Sequence, residues 1–179
     1  MSQELQIQIV AYDPAWPSRF EAEAVRIREA LGTLALRIDH HGSTSVPGLA
    51  AKPIIDIQVS VESLQPIREY LEPLCSIGYV HVPHEDDSFC PFFHRPSRWP
   101  HTHHVHVVAA GGEAERRTLA FRDYLRAHPA EASAYEALKR NIAAQINSND
   151  DDSREAYARA KTDCVERILA TASGRPYTG

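Results

Sequence analysis

The sequence has no run of roughly 20 consecutive apolar residues, the length a bilayer-spanning helix needs. Its N-terminus lacks a basic segment followed by an apolar stretch, so neither a membrane span nor an export signal is expected, and the expected compartment is the cytoplasm. Cysteine is scarce: Cys75, Cys90 and Cys164 are odd in number, far apart and free of any CxxC pairing, and read as structural thiols of a reducing compartment. Positive charge is short as well, with 19 Lys and Arg against 24 Asp and Glu and a net charge of −5. That field opposes a nucleic-acid backbone, so no duplex partner is expected, while one local basic pocket still admits a small anionic ligand. Two catalytic signatures are missing. Gly48 is not followed directly by Lys and Ser or Thr, so residues 42–52 form no Walker A loop. Ser43 also lacks the Gly-x-Ser-x-Gly elbow of a hydrolase nucleophile.

What is present suits a folded α+β protein: 179 residues, 43% hydrophobic and 24% charged, enough for one well-buried core. A single domain over 1–179 is expected, with a sheet-containing core at 1–111 and a helical extension at 112–179. Leu5, Ile7 and Ile9 alternate with polar residues and predict a short strand. A helix follows to about Leu31, with Phe20, Ala24, Ile27 and Leu31 at spacings of three and four and Gly32 as its stop. Leu34 to His40 reads as a strand, residues 41–53 as a loop, and Pro53 to Val61 as the clearest strand in the chain. In that strand Ile54, Asp56, Gln58 and Ser60 share one face, and Ile55, Ile57, Val59 and Val61 form an apolar one, so Asp56 is expected to face outward from a buried platform. A helix over 64–77, a strand over 79–82, an acidic loop with Glu85, Asp86 and Asp87, and a strand at Phe92 and Phe93 come next. In the strand 103–109, His104 and His106 fall on the face opposite Val105 and Val107. Helices over 113–128, 130–147 and 153–171 complete a mixed sheet with a helical half packed on it.

The segment His41-Gly-Ser-Thr-Ser followed by Asp56 carries the chemistry. Gly42 lets a phosphate approach the backbone, and Ser43, with Thr44 beside it, offers hydrogen bonds to phosphate oxygens. Asp56 is a hard oxygen ligand on a rigid strand, suited to hold a divalent cation, Mg²⁺ or Mn²⁺, against the same phosphates. Joined by His104 or His106, it would form a mixed oxygen and nitrogen site that suits Mn²⁺, Zn²⁺ or Fe²⁺ better than Mg²⁺. Hydrogen bonding of these histidines to Asp56 or the sheet rim is the alternative. Lys52, Lys139, Lys161 and Arg95 are candidate phosphate-binding cations. His81, His84, His94 and His128 read as surface or loop residues.

The pattern Gly42-Ser43 with Asp56 resembles the nucleotidyltransferase superfamily, and more narrowly the GrpB family. The narrower resemblance rests on Tyr12, Pro14, Trp16 and Phe20, the block from His41 to Asp56, the strand His103-His-Val-His-Val, the segment from Phe121 to Pro129, Tyr135 with Lys139, and Tyr157 with Lys161. It implies a nucleotidyltransferase-like mixed sheet, a bound nucleotide or other phosphorylated ligand, a divalent metal, and transfer of a nucleotidyl group to a small acceptor, with Asp56 and His106 catalytic and His106 as general base. One departure stands against transfer: the second carboxylate that the superfamily places two residues after the first is Gln58 here. Two other functions compete, a catalytically degenerate binder of a phosphorylated ligand and a metal-dependent hydrolase built on the histidine strand.

Overall fold

The computed structural model describes residues 7–146 and 150–177. Five strands, β1 (Arg37–His41), β2 (Ile55–Val61), β3 (Val80–Val82), β4 (Phe92–Arg95) and β5 (His103–Ala109), form one sheet in the order β1-β2-β5-β4-β3. Only the β2–β5 pair is parallel. Parallel neighbours need a crossover, and here the chain supplies it through α2 (Arg68–Ser76) and the β3–β4 hairpin.

The two sheet faces have different partners. Ile55, Ile57, Val59, Phe93, Val105 and Val107 meet Trp16, Ile27 and Leu31 of α1 (Trp16–Leu31) and Tyr70 and Leu74 of α2 in the main core. The opposite face receives α3 (Glu113–Ala127), on which α4 (Pro129–Gln145) and α6 (Thr162–Ala172) pack, with α5 (Asp151–Arg159) between α4 and α6 in the chain. Ser60 on that face donates to Glu115 of α3 at 2.5 Å, and Arg122 of α3 donates to the His40 carbonyl at 3.1 Å. Gln58 and Ser60 are consequently fully buried.

Other differences have local causes. Leu5 lies outside the described residues, and Ile7 and Ile9 join no strand; only Val10 pairs with Ala51, in an isolated bridge. Ile7 packs instead with Ile142, Ala143 and Tyr157, so its alternation marks burial against helices rather than a ladder. The helix expected at 64–77 starts at Arg68, after Pro66. Asn147 lies outside the described residues. The last expected helix divides into α5 and α6 around Ala160 and Lys161, without proline or glycine at the break. Packing explains it: α6 lies along α3, while Tyr157 of α5 joins the cluster with Ile7 and Ile142.

Candidate functional site

Register brings the polar side chains together. His41 faces Asp56 across the β1–β2 ladder, and Asp56 faces His104 across the β2–β5 ladder. One row further on, Gln58 lies between Asp39 and His106. Asp56 and His104 of the first row line a cavity of about 1060 Å³, whose walls come from both halves of the chain. Ser43, Thr44 and Lys52 approach from the loop before β2, Trp99 and His101 from the β4–β5 loop, Lys139 from α4, and Arg154, Tyr157 and Lys161 from α5 and its end. His104 and His106 also line it.

Gly42 stands behind this surface rather than on it. It has φ +66°, and a Cβ there would lie 2.3 Å from Oδ2 of Asp56. The room left by the missing side chain is thus filled by the Asp56 carboxylate, not kept open for a ligand. Thr44 is buried, donates to the Ile54 carbonyl at 3.3 Å and contacts His40 Nε2 at 3.0 Å, so its hydroxyl holds the loop to the sheet. Ser43 is half-buried, and its hydroxyl accepts from Lys139 Nζ at 2.9 Å. Arg95 is excluded from the cavity: it pairs with Glu23 of α1 at 2.8 Å on the other side of the sheet.

A chain of imidazoles leads away from Asp56. His104 Nδ1 lies 3.4 Å from Asp56 Oδ1, and its Nε2 lies 3.1 Å from Nδ1 of His101. His101 stacks on His94 at 3.8 Å and 8°. His94 is buried, which corrects the surface reading. Trp99 meets the edge of His101, and the Arg154 guanidinium lies 4.2 Å over the Trp99 ring. The sequence reading missed His101, because a histidine in a loop between two prolines and a strand carries no periodic signal.

Burial governs the electrostatics. It pushes His106 down to about 3 and His101 and His40 to about 4, leaving neutral imidazoles at neutral pH. A neutral His106 of that kind is a weak general base. Burial works against ionisation of Asp56, but the contact with His104 and the other nearby imidazoles outweigh it and hold the carboxyl below its usual range. Burial, reinforced by Lys161, takes Lys139 down to about 7; burial and Lys52 take Lys161 to about 8. Lys52 is lowered for the same first reason.

Those three are all the lysines the chain has; the other 16 basic residues are arginines. All three line the one cavity, and among the described residues none is ion-paired to a carboxylate. Lys52 and Lys161 lie 5.0 and 4.4 Å from the centre of the Tyr157 ring. A simple count of lysines was the signal that could have raised these residues above the arginines.

The donor set does not fit a two-metal centre, which needs carboxylates converging on one face. Asp56 supplies one. Gln58, at the second position, is fully buried, and neither end of its amide has a hydrogen-bond partner among the described residues. Asp56, His104 and His106 share a face, yet among the described residues no three His, Cys, Asp or Glu side chains come together as a metal-ligand group.

The shifts predict the pH dependence of stability. An unfolded lysine titrates near 10.5 and folded Lys139 near 7, so between these values the unfolded chain holds more protons and stability rises with pH. Below pH 7 both forms are protonated and the burial penalty is present in full. The buried histidines act likewise between about 4 and 6.5. Urea unfolding should therefore show stability climbing from acid pH and gaining on the order of 2 kcal/mol more between about pH 7 and 9.5. A flat or falling profile above pH 7 would contradict the lysine burial.

The comparisons agree with this architecture. The family model described as GrpB protein matches residues 6–171. A UPF0157 protein of Halalkalibacterium halodurans is 39% identical over 168 residues, covering 93% of this chain and 83% of that protein. A dephospho-CoA kinase of Mycolicibacterium paratuberculosis is 34% identical over 187 residues, covering 86% of this chain but 46% of the kinase. The crystal structure of GrpB from Enterococcus faecalis superposes with a TM-score of 0.81 at 36% identity, over 92% of this chain and 96% of that one. The Cid1 poly(U) polymerase, solved with Mg and 3'-dATP bound, shares the fold at a TM-score of 0.53 and 13% identity, over 90% of this chain and 51% of the polymerase. The mixed sheet with its packed helices is thus a nucleotidyltransferase-like fold, and the chain belongs to the GrpB family.

Proposed function

We propose that this protein binds a small phosphorylated ligand, a nucleotide first among them, in the cavity over Asp56. The observation that carries the reading is the convergence of every lysine in the chain on that cavity, none of them ion-paired to a carboxylate among the described residues. Buried like charges cost stability unless a counter-charge meets them. A fold that bears such a cost in one place has a site for an anion there. In this reading Lys52 and Lys161 take most of the ligand charge, and Ser43 with Lys139 hydrogen-bonds its oxygens. Asp56 offers one hard oxygen, enough to hold Mg²⁺ or Mn²⁺ jointly with ligand phosphates and solvent. The residues 1–179 work as one unit, since Asp56 and His104 come from one half and Lys139 and Lys161 from the other.

Binding without two-metal nucleotidyl transfer is the form the geometry favours. Gln58 brings no charge and is fully buried, and although Asp151 and Glu155 also line the cavity, among the described residues no three His, Cys, Asp or Glu side chains come together as a metal-ligand group. The name dephospho-CoA kinase describes a protein of which this chain covers under half, so it adds only that one relative works on phosphorylated molecules.

A thermal-shift series tests the reading, because a ligand that binds only the folded state raises its melting temperature. ATP, GTP, CTP, UTP and inorganic triphosphate, each with and without Mg²⁺, should stabilise the protein, and adenosine should not. Equal effects of adenosine and ATP, or no shift with any phosphorylated compound, would refute it.

A further inference from the structure

We infer that Lys139 is a nucleophilic amine that forms a reversible imine with a small phosphorylated aldehyde or ketone held in the cavity. The inference rests on the phosphate site proposed above and names the ligand class more closely.

Three observations single out Lys139. It is 2% exposed yet borders the cavity, so its ammonium form has lost nearly all contact with water. Its Nζ donates to Ser43 Oγ at 2.9 Å and to the Ala50 carbonyl. A neutral amine has two N–H bonds, and these two acceptors use both of them, leaving the nitrogen lone pair for a bond to carbon. Finally, Lys161 is the strongest of the charges acting on it and opposes the cation, as Arg140 does, while Glu136 and Asp56 act the other way. A lysine desolvated beside another cation is the usual environment of an amine nucleophile. Its depression to about 7 agrees with that geometry.

The other two lysines complete the site. Both lie over the ring of Tyr157, as Lys139 lies over that of Tyr135 at 5.1 Å, and both line the same cavity. A ligand whose phosphate lies against Lys52 and Lys161 is thereby offered to an uncharged amine in the same enclosure. In the step itself, Nζ attacks the carbonyl carbon to give a carbinolamine. The carbonyl oxygen then leaves as water with the two amine hydrogens, and the C=N bond forms. Ser43, hydrogen-bonded to Nζ, is placed to pass a proton to that oxygen. No oxidant, reductant or co-reactant is needed.

The scarcity of lysine makes the test clean, because the chain offers four amines in all, its α-amino group and three side chains. The natural protein is treated with pyridoxal 5'-phosphate or with pyridoxal, reduced with borohydride, and mapped by peptide mass spectrometry. The expected result is an adduct mainly on Lys139, formed about 10-fold faster from the phosphorylated aldehyde, with a rate that rises with pH through about 7. In Lys52→Met/Lys161→Met the phosphate advantage should vanish while pyridoxal still labels Lys139. Labelling mainly of Lys52, Lys161 or the α-amino group, with Lys139 unmodified, overturns the inference. If inorganic triphosphate still raises the melting temperature of the same preparation, the inference alone fails; if it does not, the phosphate site fails with it.

Discussion

Replacing Gly42 with alanine is expected to destabilise the protein by about 2–4 kcal/mol, lowering its melting temperature by roughly 5–15 °C. Two terms add. The backbone sits at φ +66°, where a side chain costs roughly 1–2 kcal/mol. The new Cβ would also fall 2.3 Å from Asp56 Oδ2 and 2.9 Å from Asp56 Cβ, on a strand packed between β1 and β5, so neither side yields freely. Gly48 is the matched control: its φ is +80° and no atom lies within 4 Å of a Cβ built there. Gly48→Ala should show the backbone term alone, about 1–2 kcal/mol. Chemical denaturation of the two variants separates the terms, and equal losses would show that Gly42 does not seat the Asp56 carboxylate. Because the clash falls on the carboxylate, Gly42→Ala should also weaken any Mg²⁺-dependent part of ligand binding.

The second large effect moves stability and binding in opposite directions. Lys52→Met/Lys161→Met is expected to weaken triphosphate binding by about 100-fold or more, from two charge-assisted contacts of roughly 1.5–3 kcal/mol each. The same variant should be more stable than the natural protein by ~1–2 kcal/mol, because an apolar side chain replaces a desolvated cation that has no carboxylate partner. An ordinary structural lysine would lose stability on replacement. Calorimetric titration with inorganic triphosphate and urea unfolding give the two readouts. A variant that binds normally, or one that unfolds more easily, would remove these residues from the site.

The parts of this molecule legible in sequence are those whose signal is local. β2 and β5 announce themselves by alternation, and the placing of His104 and His106 opposite Val105 and Val107 follows from period two alone. Strand order is not local, and only the parallel register of β2 with β5 brings His104 to Asp56. The full burial of Gln58 and Ser60 is likewise not local, since Ser60 is met by Glu115, 55 residues further along the chain. Arg95 and the lysines looked alike as cations. What separates them is Glu23, 72 residues away in sequence, which takes Arg95 to the other side of the sheet. His94 and His101 are joined by a stacking contact across the β4–β5 connection, which spacing does not reveal.

The claim that all three lysines surround one phosphorylated ligand can be read directly, since the chain has no others. Lysine labelled with ¹³C at Cε gives one resonance for each of Lys52, Lys139 and Lys161, assigned by single replacement. On titration with ATP the account predicts that all three shift together and saturate with one dissociation constant, and that adenosine moves none of them. Resonances that stay still under ATP, or that move with unrelated affinities, would contradict a shared anion site.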